Sequence, residues 1–187
     1  MRNSIQNDKK TYLFFCQFSR GDHNGVGIVQ RSLRDIFSRF SQAQAQNVGD
    51  NPGTSSKTTF RGSFVEIFNE RVYDLLSPET LDNNLQVREN VRGGGVYIEG
   101  LKEVDLQNTA EAEALMSAAL ANRHVASTNM NRTSSRSHAM FVLSVRTEHV
   151  DEDGLRKVRS SKFTLVDLAG SERQKTTGEL HVFSKPS

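Results

Sequence analysis

Two nearly unbroken apolar runs, residues 139–145 (Ala-Met-Phe-Val-Leu-Ser-Val) and 163–168 (Phe-Thr-Leu-Val-Asp-Leu), flank the acidic turn Asp151-Glu152-Asp153-Gly154. Strands this apolar need cover on their faces, and an acidic turn with Gly closes a hairpin, so the pair predicts a long antiparallel hairpin at the centre of a sheet. The rest of the chain must supply what covers it. Residues Val29, Leu33, Ile36, Phe37 and Phe40 follow i, i+4, i+7, i+8, i+11 spacing, which predicts an amphipathic helix fading into Gln-Ala repeats. Asn108, with Glu111 three residues on, has capping-box chemistry, and Ala112, Leu115, Met116, Ala119 and Leu120 form an apolar stripe behind it, the clearest helix in the chain.

Between these helices the sequence changes character. Residues 42–57, with Asn-Pro-Gly and Ser-Ser, read as an exposed linker. Residues 58–68, rich in Thr, Phe, Val and Ile, read as a strand, and Val72, Leu75 and Leu76 as a short helical turn ending before Pro78. Leu85-Gln86-Val87 and Val96-Tyr97-Ile98, separated by Arg92-Gly93-Gly94-Gly95, read as a small hairpin lobe. Residues 1–27 mix Asn, Lys, Gln, Ser and Gly around one aromatic cluster, show no sustained periodicity and read as poorly determined. Strands with intervening helices imply a sheet with helices packed on its faces.

Composition narrows the function classes. The 187 residues have room for one domain, and 35% hydrophobic with 25% charged residues excludes a wholly disordered or collagen-like chain. A formal net charge of +2 lacks the basic excess of a nucleic-acid binder. A single cysteine, Cys16, and five scattered His point away from a disulfide framework or a structural zinc site and suit a reducing cytosol. Near the N-terminus the longest apolar run, Leu13-Phe14-Phe15-Cys16, is far short of the roughly 20 residues of a membrane span, so no membrane partner is expected.

Two strings carry chemistry. The first, Asn131-Arg132-Thr133-Ser134-Ser135-Arg136-Ser137-His138, interrupts two apolar segments with hydroxyls and cations that can surround a phosphate or a Mg²⁺-bound water. Read alone, an ordinary serine-rich loop is the plainer reading. The second, Phe163-Thr164-Leu165-Val166-Asp167-Leu168-Ala169-Gly170-Ser171-Glu172, ends an apolar strand in Asp and then Gly. A carboxylate placed there can hold a Mg²⁺ water shell, and a Gly nearby lets a backbone N–H approach a γ-phosphate. A strand-ending turn competes with that reading while the string stands alone.

Together the strings resemble the two switch motifs of the kinesin motor domain. Asn122-Arg123-His124-Val125-Ala126, Phe64-Val65-Glu66-Ile67-Phe68-Asn69-Glu70 and Tyr73-Asp74-Leu75-Leu76 extend the likeness. The resemblance covers residues 27–178, leaving 1–26 as a divergent N-terminal segment without a phosphate loop and 179–187 as an unrelated tail. It implies a partial three-layer α/β core of the P-loop NTPase kind, a mixed sheet with helices on both faces, and ATP with Mg²⁺ as cofactors. Asn131, Ser134 and Ser135 would lie in switch I, with Ser135 near Mg²⁺ and Ser134 near the γ-phosphate and the attacking water. Arg136 would latch to Glu172, Asp167 would hold the Mg²⁺ water shell, and Gly170 would sense the γ-phosphate. Microtubules would be the partner and the cytoskeleton the location; Gly170-Ser171-Glu172-Arg173-Gln174-Lys175 is similar to some spindle-associated kinesins.

The phosphate loop G-x-x-x-x-G-K-[ST] occurs nowhere in the chain, and no Gly is followed by Lys. Asn51 and Ser56 stand where a loop ending in Lys57-Thr58 needs glycines, Lys175-Thr176 lacks both, and Gly93-Gly94-Gly95 precedes no Lys. The relay helix that follows switch II in kinesins is likewise expected to be missing, so the chain alone is expected not to hydrolyse ATP. Arg88, Arg92 and Lys102 are the cations of the hairpin lobe that would meet acidic tubulin, although scattered solvated charges are the preferred reading of them. Two functions follow: a truncated piece of an ATP-driven microtubule motor, or a non-catalytic fragment that binds microtubules or a motor partner.

Overall fold

A computed structural model describes residues 6–15, 28–47, 55–77, 79, 83–90, 95–129, 136–151 and 153–169. A mixed sheet dominates it. The strands are β1 (Gln6–Phe15), β2 (Ser55–Phe68), β3 (Arg71–Asp74), β6 (Val104–Leu106), β7 (His138–Val150) and β8 (Arg156–Asp167), in the order β1-β8-β7-β2-β3, with β6 also paired to β2. A separate two-stranded sheet joins β4 (Val87–Glu89) to β5 (Val96–Ile98), the expected hairpin lobe.

The apolar runs do form the central hairpin. β7 and β8 pair antiparallel from Ala139↔Asp167 out to Val150↔Arg156, and Gly154 turns the chain at φ 73° with its N–H donating to the Asp151 carbonyl at 2.9 Å. β2 covers the other edge of β7, which makes β7 and β8 interior strands, as their composition requires.

Helices α1 (Ile28–Asn47) and α2 (Thr109–Asn129) pack on one face of this sheet. Val29, Leu33 and Phe37 of α1 and Ala112, Met116 and Ala119 of α2 are buried against Phe60, Phe64, Phe141, Leu143 and Leu165. Phe37 lies 4.5 Å from Phe60 between ring centroids, and Phe64 meets Phe141 edge-on at 5.8 Å. Fully burying one such side chain stabilises by about 1.5–3 kcal/mol. An exposed pair such as Arg39–Asp35 gives at most about 0.5 kcal/mol, so the apolar layer holds the fold. Helices on the opposite face, expected from the resemblance, fall outside the described residues. No helix among the described residues is long and apolar enough to cross a membrane.

Four expectations change. Residues 6–15, read from sequence as poorly determined, form β1, which pairs in parallel with β8 over its whole length; a strand stabilised by a neighbour's backbone needs no periodicity of its own. The linker is shorter than residues 42–57, because Gln and Ala propagate α1 to Asn47 and β2 begins at Ser55. Val72 belongs to strand β3 and not to a helical turn: Asn69 and Glu70 both take positive φ, 49° and 61°, and close a two-residue hairpin. β6, unforeseen from sequence, aligns Leu106 with Phe60 and buries it in the core.

Candidate functional site

The Asn108 cap forms as expected and fixes where α2 starts, while the return bond from Glu111 reaches Gln107, one residue before the cap. Asn108 Oδ1 accepts the Glu111 N–H at 3.0 Å, and Glu111 Oε2 accepts the Gln107 N–H at 2.8 Å. From there Ala112, Met116, Ala119, Arg123 and Ala126 fall on the buried stripe at alternating spacings of four and three. Arg123 is therefore a cation at a core position, its side chain 8% exposed.

Glu66, Asp167 and Ser137 receive it. Arg123 Nε donates to Glu66 Oε1 at 3.3 Å, Nη1 to Asp167 Oδ2 at 3.0 Å, and Nη2 to the Ser137 carbonyl and hydroxyl, each at 3.1 Å. Ser137 Oγ in turn donates to Glu66 Oε1 at 2.7 Å. Glu66 lies on β2 in the alternation that buries Phe60, Phe64 and Glu66 toward the helices, so β2, α2, the start of β7 and the end of β8 meet at one guanidinium. A second link joins the two switch strings: the Ala169 N–H donates to His138 Nδ1 at 3.1 Å, which makes Nδ1 the acceptor nitrogen of that ring.

Of the residues singled out from sequence, Asp167 is the last of β8, its side chain 20% exposed, and Arg136 is exposed just before β7. Asn131, Ser134, Ser135, Gly170 and Glu172 lie outside the described residues, and with them the Arg136–Glu172 latch. Sequence reasoning quoted Glu66, Arg123 and Ser137 within matching strings and gave them no role. The available signal was a charge at a core position of each element: Arg123 on the stripe of α2 and Glu66 on the apolar side of β2.

Asp167 suits a magnesium water shell. It is a hard oxygen donor at a strand's C-terminal end, open to solvent, with Oδ2 occupied by Arg123. The parallel register sets Phe15, at the end of β1, beside Val166, and the chain then runs through residues 16–27 to α1.

In the hairpin lobe, Arg88 Nε donates to Glu99 at 2.9 Å and Lys102 Nζ to the Leu76 carbonyl at 3.2 Å; Arg92 lies outside the described residues. Val87, Val96 and Tyr97 there are about half or more exposed, at 53%, 66% and 48%.

Residues 9–184 match the family model described as Kinesin motor domain, a span that reaches further at both ends than the switch motifs and their flanking strings marked. The chain is 39% identical over 176 residues to Kinesin-like protein KIF15 of Strongylocentrotus purpuratus, covering 92% of this chain and 11% of that protein. It is 46% identical over 160 residues to Kinesin-like protein KIN-12G of Oryza sativa subsp. japonica, covering 86% and 12% respectively. The solved structure of a fast kinesin superposes with a TM-score of 0.70 at 33% identity, covering 94% of this chain and 48% of that one.

Proposed function

The chain belongs to the kinesin motor-domain family, and from that premise we propose that it forms the switch-bearing half of an ATP-driven microtubule motor of the cytoskeleton. The observation that carries this reading is the contact of Arg123 with Asp167, because it couples the helix leading into the switch I string to the carboxylate that opens switch II. In phosphoryl transfer the protein's work is positioning and charge stabilisation, so two switch segments tied through one guanidinium are suited to responding together.

Asp167 would hold the water shell of Mg²⁺, which supplies charge neutralisation for the transferred phosphoryl group. Ser135 would stand near the metal, Ser134 and Gly170 would approach the γ-phosphate, Asn131 would line the pocket, and Arg136 with Glu172 would close it. The cradle for the β- and γ-phosphates does not come from these 187 residues, which contain no Gly-Lys pair. The chain spans about a tenth of the curated relatives it matches and about half of the solved kinesin, which supports reading turnover as a property of a longer polypeptide. The exposed lobe of Val87, Val96 and Tyr97 is the surface we assign to microtubule contact.

The test is steady-state ATPase with and without microtubules. Residues 1–187 alone should show no microtubule-stimulated turnover, and a polypeptide joining them to a G-x-x-x-x-G-K-[ST] loop should show turnover that Glu172→Ala abolishes. A signal from the 187 residues that Glu172→Ala removes would overturn the division of labour. Nucleotide-insensitive co-sedimentation with microtubules, without turnover from the longer polypeptide, would replace the motor reading by that of a non-catalytic microtubule binder.

A further inference from the structure

The hairpin lobe leaves the core and returns to it at one buried side chain. Asp74, the last residue of β3, is 1% exposed. Its Oδ1 accepts the Leu76 N–H at 2.8 Å, and its Oδ2 accepts the Lys102 N–H at 2.8 Å and the Ser77 hydroxyl at 3.4 Å. Leu76 and Ser77 start the path out to β4, and Lys102 ends the path back from β5. Two backbone N–H groups 26 residues apart thus close on one carboxylate. Burying a carboxylate is costly unless it is hydrogen-bonded, and here the compensation comes from uncharged donors at both ends of the lobe. α2 braces the same junction, with Asn122 Nδ2 donating to the Leu75 carbonyl at 2.8 Å.

We propose that Asp74 is the positioning residue of the lobe: it fixes the angle at which Val87, Val96 and Tyr97 stand against the sheet. Two strands of three residues, β4 exposed throughout and β5 nearly so, bury too little to set their own orientation. The outgoing limb has a further tie, since the Leu85 N–H donates to the Val72 carbonyl at 2.8 Å and the Val72 N–H to Asn84 Oδ1 at 2.9 Å. The returning limb is held at Lys102, by Asp74 and by the 3.2 Å contact of Nζ with the Leu76 carbonyl. Gly100 turns that limb at φ 76° two residues earlier, which gives it a bend to pivot on once the Lys102 N–H is released. Asp74 therefore makes a rigid mount of what would otherwise be a hinge. This role takes its functional meaning from the reading of the lobe as the microtubule-contact surface, but its test needs no microtubule.

The experiment measures amide residual dipolar couplings and solvent exchange on the full ¹⁵N-labelled chain in a weakly aligning medium. In the unsubstituted chain the β4 and β5 couplings should fit the same alignment tensor as those of β2 and β7. Asp74→Asn keeps the shape but turns one acceptor into a donor facing an N–H. It should speed exchange of the Lys102 amide by roughly tenfold or more and take β4 and β5 together off the common tensor, while the sheet still fits. A general loss of stability would instead speed exchange in sheet and lobe alike and leave the orientation unmoved, and that result would overturn the assignment. A slow Lys102 amide and an unmoved lobe in Asp74→Asn would overturn it too. Lys102→Met removes the ammonium and keeps the backbone N–H, so the lobe should stay on the common tensor with a slow amide at position 102. A lobe released by Lys102→Met would move the mount from Asp74 to the ammonium and overturn the proposal, even if Asp74→Asn failed to fold. A failed microtubule co-sedimentation would sink the contact reading and leave these couplings untouched.

Discussion

Arg123 on α2 and Asp167 at the end of β8 lie 44 residues apart in sequence and 3.0 Å apart in space, and the same guanidinium reaches Glu66 on β2 at 3.3 Å. One cation thus compensates two carboxylates at the junction of three strands and a helix. Deleting it leaves Glu66 as a desolvated charge, whereas Asp167 can rehydrate.

Arg123→Met should therefore cost about 3–5 kcal/mol of stability, the penalty for breaking a buried ion pair from one side. Adding Glu66→Met should recover most of that loss, since two apolar groups of similar volume need no compensation. Urea unfolding of both variants checks this. A single-variant loss below about 1 kcal/mol, the value of an exposed pair, would mean that the network is solvated and not buried.

Gly62 on β2 provides a second, purely steric test. A Cβ built there would meet Leu115 Cδ2 at 2.7 Å, Leu106 Cδ1 at 2.9 Å and Phe141 Cε2 at 3.4 Å. The two closest atoms end leucine side chains of α2 and β6 that must turn aside to admit a side chain here, so Gly62→Val should cost about 1–3 kcal/mol through overpacking. Gly154→Ala, where nothing lies within 4 Å but φ is +73°, should cost about 1 kcal/mol from backbone strain alone. Thermal unfolding of the two variants separates crowding from strain, and a Gly62→Val loss well below about 1 kcal/mol would refute the steric account.

What could be read from the residues followed how local each signal is. The stripe from Val29 to Phe40, the capping box at Asn108 and Glu111, and the runs in β7 and β8 are each encoded within one element, and each element formed. β1 and β6 were not legible, because pairing with β8 and with β2 defines them and neither carries a period. The β2–β3 turn was missed because Asn69-Glu70 is an unusual occupant of a turn that usually takes glycine. At the site, Asp167 was visible as a strand-ending carboxylate, but Arg123 and Glu66 look like ordinary surface charges until their places on buried faces are counted. Their pairing spans 57 residues, and no local pattern announces it.

The cap on α2 gives a prediction confined to one helix end. Asn108 Oδ1 satisfies the otherwise unpaired N–H of Glu111, and Asn108 Nδ2 donates back to Glu111 Oε1 at 3.0 Å. Asn108→Ala should cost about 1 kcal/mol and Asn108→Ser only a fraction of that, since serine also caps. Unfolding midpoints measure the difference, and an alanine variant as stable as the unsubstituted chain would show that tertiary packing alone sets the start of α2.

The distal end of the β7–β8 hairpin should respond to acid. Arg156 and Arg146 hold the Glu148 carboxyl below its usual range, chiefly through hydrogen bonds, and Lys157 does the same for Asp151 by a hydrogen bond and its charge. A carboxylate whose pKa is depressed in the folded chain contributes stability that is fully present above its unfolded value. That contribution is lost as pH falls through the folded value. With ordinary Glu and Asp values of about 4.3 and 3.9, the hairpin end should hold unchanged down to about pH 5 and loosen progressively below about pH 4. Both carboxylates are solvent-screened, so the effect should shrink when ionic strength is raised from about 0.1 M to 1 M, where the Debye length falls from about 10 to 3 Å. Amide shifts of residues 148–157 followed across an acid titration at the two salt levels test this. Loosening that begins near pH 6, well above the range of both carboxylates, would overturn this account.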